Sequence, residues 1–196
     1  MRVIVANELK EILENHAKWL RKEAGGKSAD LSDSNLHYEN LKDANLECAN
    51  LEASYLGEVY MANANLKGAN LKGAYAPNAN LSAINLESAN LQGANFEGVN
   101  LTGANLINAN MEGINLKNAM LQDANLQGTN LKDADLTEAS LSPSNLSKAS
   151  LRGANLNCAN LYETNFNNTD LEGVKNIKSA NFSISTMMFA KNIPST

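Results

Sequence analysis

Large side chains are scarce in this chain. Aromatic residues fill 5 % of its 196 positions and Trp19 is the single tryptophan, although 43 % of residues are hydrophobic. A core of ordinary globular type leans on bulky rings, so the apolar mass here must be arranged differently. Two histidines, His16 and His37, and two cysteines, Cys48 and Cys158, lie too far apart in sequence to read as a metal-ligand set. No glycine-rich loop follows a long strand pattern, and no nucleophile, base and acid fall into a recognisable spacing. These absences argue against an enzyme, a cofactor or a bound metal. No apolar stretch approaches the roughly 20 residues of a membrane span. The apolar run in MRVIVANELKE meets its charges too early for a secretory signal. The expectation is a soluble, cytoplasmic protein without a membrane partner.

What the chain has instead is a period. Every fifth residue from Leu31 to Leu171 gives 29 positions, of which 24 are Leu; the others are Met61, Ala76, Phe96, Met111 and Phe166. With this position called i, 18 of the 29 residues at i−2 are Ala and 20 of those at i−1 are Asn. Nine of the 12 glycines stand at i+2. Five fits neither the 3.6-residue helix nor a long strand of period two. Within one pentad, i−2 and i share a side as in a short extended segment, and i−1 points away. Gly and Asn, with Pro77 and Pro143, then fall where a turn needs them. Short edges joined by corners wind into an all-β solenoid filled by Leu and small residues.

The charges at i+1 set the number of pentads per coil. Residues that stack at strand spacing favour opposite charge. At an offset of 20 residues there are six opposite pairs: Glu47/Lys67, Lys67/Glu87, Glu52/Lys72, Glu97/Lys117, Glu112/Lys132 and Arg152/Glu172, against one like pair, Lys132/Arg152. Offsets of 15 and 25 give two opposite and two like pairs each. Four pentads per coil are preferred, and the 29 pentads make about 7 coils, a rod roughly 35 Å long at strand spacing. The small Ala76 then lies one coil below the large Phe96.

The motif resembles that of the pentapeptide repeat family, A(D/N)LXX, over residues 29–173. The resemblance implies a right-handed, quadrilateral β-helix with i and i−2 inside. Some members are similar to DNA in shape and charge and protect type II topoisomerases such as gyrase from inhibitors, and some dimerise through their C-termini.

Such a rod has ends to cover. Residues 1–28 read as an N-terminal cap with an α-helix over about 7–24, Asn7 as its N-cap and Gly25-Gly26 as its stop. Leu9, Ile12, Leu13, His16, Ala17 and Leu20 form its apolar stripe, with Trp19 beside it. Residues 174–196 read as a partial coil and C-terminal cap, in which Ile177, Phe182 and Met187 resume the period after a slip of one. Met187, Met188 and Phe189 are the candidate contacts of a homodimer.

The outward i−1 positions depart from Asn at Tyr55, Tyr60, Tyr75 and Met120, and Tyr38 stands at the corner between their sides. An apolar cluster on a polar surface marks a partner-contact patch, so these five are the candidate contact residues. The cluster also admits a structural explanation, tyrosines stacking where asparagines otherwise do. Residues 29–173 carry 17 acidic and 7 basic side chains, a charge profile that disfavours direct nucleic-acid binding. The functional expectation is a rigid, noncatalytic interaction module with an unidentified protein partner. The alternative is a DNA-mimic regulator that binds and protects gyrase, against which the interleaved lysines count.

Overall fold

The computed structural model describes residues 1–193. From Ala29 the backbone turns a corner every five residues and bonds to the coil above at a separation of 20. Leu31 N–H donates to the Asn50 carbonyl at 2.7 Å, and Asn50 N–H donates to the Ala29 carbonyl at 2.9 Å. The same pair of bonds recurs up four columns of parallel bridges, one of which runs from Asp30 through Asn50, Asn70, Asn90, Asn110, Asn130 and Ser150 to Asp170. The coil therefore has four edges, as the charge stacking required.

All 29 residues at i are at most 2 % exposed and form one continuous core with the small residues at i−2. Burial of each Leu contributes on the order of 2 kcal/mol before chain entropy is subtracted. Ala76 and Phe96 occupy consecutive coils of one column, both fully buried, so a deficit of volume in one storey is matched by an excess in the next.

From Leu36 on, every corner except the one at Ser142–Pro143 closes with a bond from the next i−2 N–H to the i carbonyl, as from Ala49 to Leu46 at 3.0 Å. The residue at i+2 takes a left-handed backbone at every corner from Asp33 to Gly173 except Ser142–Pro143, where the peptide bond is cis. Glycine at i+2 is thus the unstrained choice. The many side chains that stand there instead, Tyr38 and Ala53 among them, are tolerated at a local cost.

Asparagine at i−1 does two jobs. Its Oδ1 accepts the backbone N–H two residues on, as Asn85 does from Glu87 at 3.2 Å, which holds the chain into the corner. Its amide N–H donates to the Oδ1 one coil below: Asn65 to Asn45, Asn85 to Asn65 and Asn105 to Asn85 are each 3.0 Å, and Asn145 to Asn125 is 3.1 Å. Of the six expected ion pairs, three form within 4 Å: Lys67–Glu87, Lys132–Glu112 and Arg152–Glu172. Lys117 turns to Asp135 instead, while Glu47, Glu52 and Glu97 accept from Asn65, Asn70 and Asn115.

The N-terminal end is closed by two elements. Strand β1, Arg2–Val3, lies parallel to β2, Ser34–Asn35, and places Ile4 inside as one more edge below the first coil. Helix α1, Ala6–Leu20, then crosses that end with Leu9 and His16 buried. The helix is shorter than the sequence suggested and begins without Asn7 as its cap. Val5, still extended from β1, is the N-cap and makes no side-chain bond; Arg2 meets Glu8 across the entry. At the other terminus Lys22 turns left-handed and its N–H bonds to the Trp19 carbonyl, ending the helix before Gly25. Gly26 folds back against α1 so closely that a Cβ there would sit 2.4 Å from Trp19 N.

His16 joins the cap to the rod. Its Nδ1 accepts the Ala29 N–H at 3.0 Å, its Nε2 has no partner among the described residues, and its ring stacks on Trp19 at 5.5 Å. Burial pushes its pKa down, against a smaller upward pull from the Glu47 carbonyl and carboxylate.

At the C-terminal end the ladder slips by one: Asn160 bridges Asn181 and Asp170 bridges Lys191. A turn of 3-10 helix, Ile177–Ser179, absorbs the extra residue, and α2, Ile184–Met187, follows. Among the described residues no helix is long and apolar enough to cross a membrane.

Candidate partner-contact face

Bridge columns place the candidate residues on the rod. Val3, Asn35, Tyr55, Tyr75 and Asn95 share one outward column, and Asn40, Tyr60, Asn80, Asn100 and Met120 share the next side. Tyr38 stands at the corner between them, in a left-handed backbone that pushes its ring outward to 66 % exposure.

Three of the five candidates come together, through a residue absent from the expected set. His37 packs against Tyr38 at 3.7 Å on one side and against Tyr55 at 5.0 Å on the other, and Tyr55 stacks on Tyr75 at 5.5 Å and 15°. The result is a four-ring series, Tyr38–His37–Tyr55–Tyr75. Its middle members are covered on both sides, whereas Tyr38 and Tyr75, 45 % exposed, each have a ring face that no other ring covers. The Tyr55 ring lies over Gly57, where any Cβ would come within 2.7 Å of its hydroxyl. His37 Nδ1 is held against the Gly57 carbonyl. The Tyr38 hydroxyl reaches Glu58 Oε1 at 3.3 Å, and the charge of Glu58, more than the bond itself, raises the Tyr38 pKa.

Tyr60 lies around the corner and Met120 three coils beyond it, about 14 Å along the axis at strand spacing, so Met120 is not part of the cluster. Val3 was missed as well. It extends the same outward column below Asn35 and is exposed, yet it precedes the period and nothing in the repeat announces it.

The tyrosines do not replace asparagine for free. An Asn at i−1 caps the N–H two residues on, which neither Tyr55 nor Tyr75 can do. After Tyr75 that position is Pro77, which has no N–H to cap. The triplet Tyr-Ala-Pro is thus internally consistent: the ring removes the acceptor and the proline removes the donor.

The C-terminal candidates divide. Met187, expected with the others at a dimer contact, points inward and is only 4 % exposed, because it keeps the inward spacing of five from Phe182. Met188 and Phe189 are exposed at 67 % and 65 %. Cys48 and Cys158 are free, exposed and at opposite corners. Among the described residues no three His, Cys, Asp or Glu side chains gather as a metal site.

Comparison with known proteins accords with this geometry. The family model described as pentapeptide repeats matches in overlapping segments from residue 27 to residue 173. Among solved structures the chain is similar to HetL, a pentapeptide repeat protein involved in heterocyst differentiation regulation from the cyanobacterium Nostoc sp. strain PCC 7120, at 26 % identity over 84 % of this chain and 91 % of that one, with a TM-score of 0.46. It is similar to Rfr23 from the cyanobacterium Cyanothece 51142 at 22 % identity over 89 % and 99 %, TM-score 0.28. It is also similar to a trypsin-treated form of QnrB1, a plasmid-mediated fluoroquinolone resistance protein, at 14 % identity over 81 % and 86 %, TM-score 0.34. No curated protein sequence matches the chain. With its family model spanning 27–173, its four-edged coils and its buried leucine columns, the chain is a member of the pentapeptide repeat family, a right-handed quadrilateral β-helix with an N-terminal helical cap.

Proposed function

We propose that the chain is a rigid, noncatalytic protein-interaction module that meets its partner through the face formed by Tyr38, His37, Tyr55 and Tyr75. The observation that carries this reading is the stacked pair of a half-buried Tyr55 and an exposed Tyr75 at two positions where the repeat elsewhere places asparagine, which at position 55 would also cap the N–H two residues on. A face kept aromatic at a structural cost, on a surface otherwise of Asn, Gly and charge, has the composition of a contact site. The test is affinity capture from a cell extract with wild type and with Tyr55→Ser/Tyr75→Ser. The reading expects at least one protein captured by wild type to be lost with the variant. If every partner is retained, the tyrosines serve only the fold.

The net charge of the array supports a second reading, a DNA-mimic regulator of a type II topoisomerase, because 17 acidic side chains outnumber 7 basic ones in residues 29–173. The sides break that charge with ion-paired Lys67, Lys117, Lys132 and Arg152, so the first reading is preferred. A gyrase supercoiling assay separates the two: absence of inhibition and of drug protection at micromolar protein removes the second. Exposed Met188 and Phe189 add a self-association surface to either reading, with Met188→Glu and light scattering as its check.

A further inference from the structure

We infer that the partner segment received by the aromatic face is cationic and presents arginine. This rests on the reading of that face as the contact site and adds the chemistry of what it takes. The face is bracketed by carboxylates. Glu58 borders the Tyr38 corner, and Asp33 and Glu52 occupy the corner on the other edge of the same side, immediately before Asn35 and Tyr55. None of the three is in an ion pair among the described residues; Glu52 and Glu58 accept only from the neutral donors Asn70 and Tyr38. The nearest cations do not neutralise them: Arg2 is turned to Glu8 and the Asp30 carbonyl, and Lys72 stands one coil above Glu52 without reaching it.

Charge is also unevenly spread. The first coil, residues 29–48, holds Asp30, Asp33, Glu39, Asp43 and Glu47 against Lys42 alone, four of the ten net negative charges of the array. His37 and Tyr38 stand in that acidic coil, with Tyr55 and Tyr75 one and two coils above it.

An anionic segment would be repelled there, and a purely apolar one would strip water from unpaired carboxylates without returning a partner. A guanidinium satisfies both features. Its plane lies on an uncovered tyrosine face, as at Tyr38 or Tyr75, while its fork of N–H groups binds a carboxylate such as Glu58. A lysine ammonium supplies the charge but neither the plane nor the fork.

Fluorescence anisotropy with the full chain tests this, using labelled dodecapeptides of alternating arginine and serine, lysine and serine, or glutamate and serine. The arginine peptide is expected to bind at least threefold tighter than the lysine peptide, and the glutamate peptide not at all. Tyr38→Ala/Tyr75→Ala should weaken the arginine peptide roughly three- to tenfold and Glu58→Gln about threefold. Tyr162→Ala and Glu163→Gln, equally exposed but remote, should change nothing. No binding of the arginine peptide below millimolar, equal affinity for arginine and lysine, or indifference to the face variants overturns the inference. Should the capture experiment still depend on Tyr55 and Tyr75 in that case, the interaction module stands and only its cationic partner class falls. If capture is independent of the tyrosines while the arginine peptide binds as expected, the peptide result upholds the chemistry of the face.

Discussion

The two ends of the rod meet the same problem with unequal means. A stack of coils leaves an apolar cross-section and unpaired edge groups at each terminus. At the N-terminal end a 15-residue helix and an added strand edge bury Ile4, Leu9 and His16. At the C-terminal end a four-residue helix buries Met187 and leaves Met188 and Phe189 in solvent. One end is sealed and carries the acidic aromatic face beside it; the other is basic, with Lys175, Lys178 and Lys191 and no acid after Glu172, and retains apolar surface. The difference is one of cap size: the longer helix with its added strand edge covers the apolar cross-section, and the four-residue helix leaves part of it in solvent.

Truncation measures that asymmetry most directly. Removal of residues 1–26 uncovers Leu31, Leu36, Leu41 and Leu46 at once. With several side chains worth on the order of 2 kcal/mol each, thermal denaturation should show a midpoint lower by about 10 °C or more, or the protein should aggregate. Removal of residues 183–196 should cost no more than half as much. A soluble, monomeric, equally stable product of the first truncation would refute α1 as a cap.

Adjacent methionines sharpen the contrast within one end. Met187→Glu places a charge in the core and should destabilise by about 3 kcal/mol or more, seen as a lower urea midpoint. Met188→Glu should alter stability by less than about 0.5 kcal/mol. If the exposed surface joins two rods, only this second variant changes the mass found by light scattering without unfolding the chain. A monomeric wild type would remove the homodimer.

pH distinguishes the ends by a smaller effect. His16 is neutral in the fold, since a proton on Nδ1 would oppose the Ala29 N–H that it now accepts. A histidine whose folded pKa is depressed contributes stability above its unfolded value near 6.5, and that stability is lost as pH falls from there toward the folded value. The lowered carboxylates behave alike in sign but act lower: Asp30, held by Ser32, and Asp170, held by Asn192, lose their contribution only below about 4. Midpoints measured between pH 7.5 and 5 should therefore fall in wild type and stay nearly level in His16→Leu. Parallel slopes would assign the pH response elsewhere.

The fold was legible because 29 inward residues at one spacing leave no other way to bury them, and the charges at offset 20 counted the edges. The resemblance supplied the hand. What escaped has common causes. The β1 edge lies outside the period, so neither Ile4 inside nor Val3 outside could be placed. The part asparagine plays in capping the N–H two residues on follows from turn chemistry rather than from periodicity. Met187 was grouped with its neighbours by hydrophobicity although its spacing from Phe182 already pointed inward. His37 was weighed as a metal ligand and passed over as a ring, yet it is what joins Tyr38 to Tyr55.

The smallest expected effect bears most on what the aromatic end is for. Tyr38 holds a left-handed corner that Gly68, Gly98 and Gly128 hold without strain elsewhere. Relief of that strain in Tyr38→Gly gains about 1 kcal/mol, the freedom of glycine in the unfolded chain takes back 0.5 to 1 kcal/mol, and the lost packing on His37 costs about as much again. The terms nearly cancel, so the melting point should move by no more than roughly 3 °C in either direction. Binding of the arginine peptide should nevertheless fall severalfold. A tyrosine whose removal leaves stability where it was and takes recognition with it belongs to the contact and not to the fold. A large loss of stability would instead return Tyr38, and with it the ring series, to the architecture of the first coil.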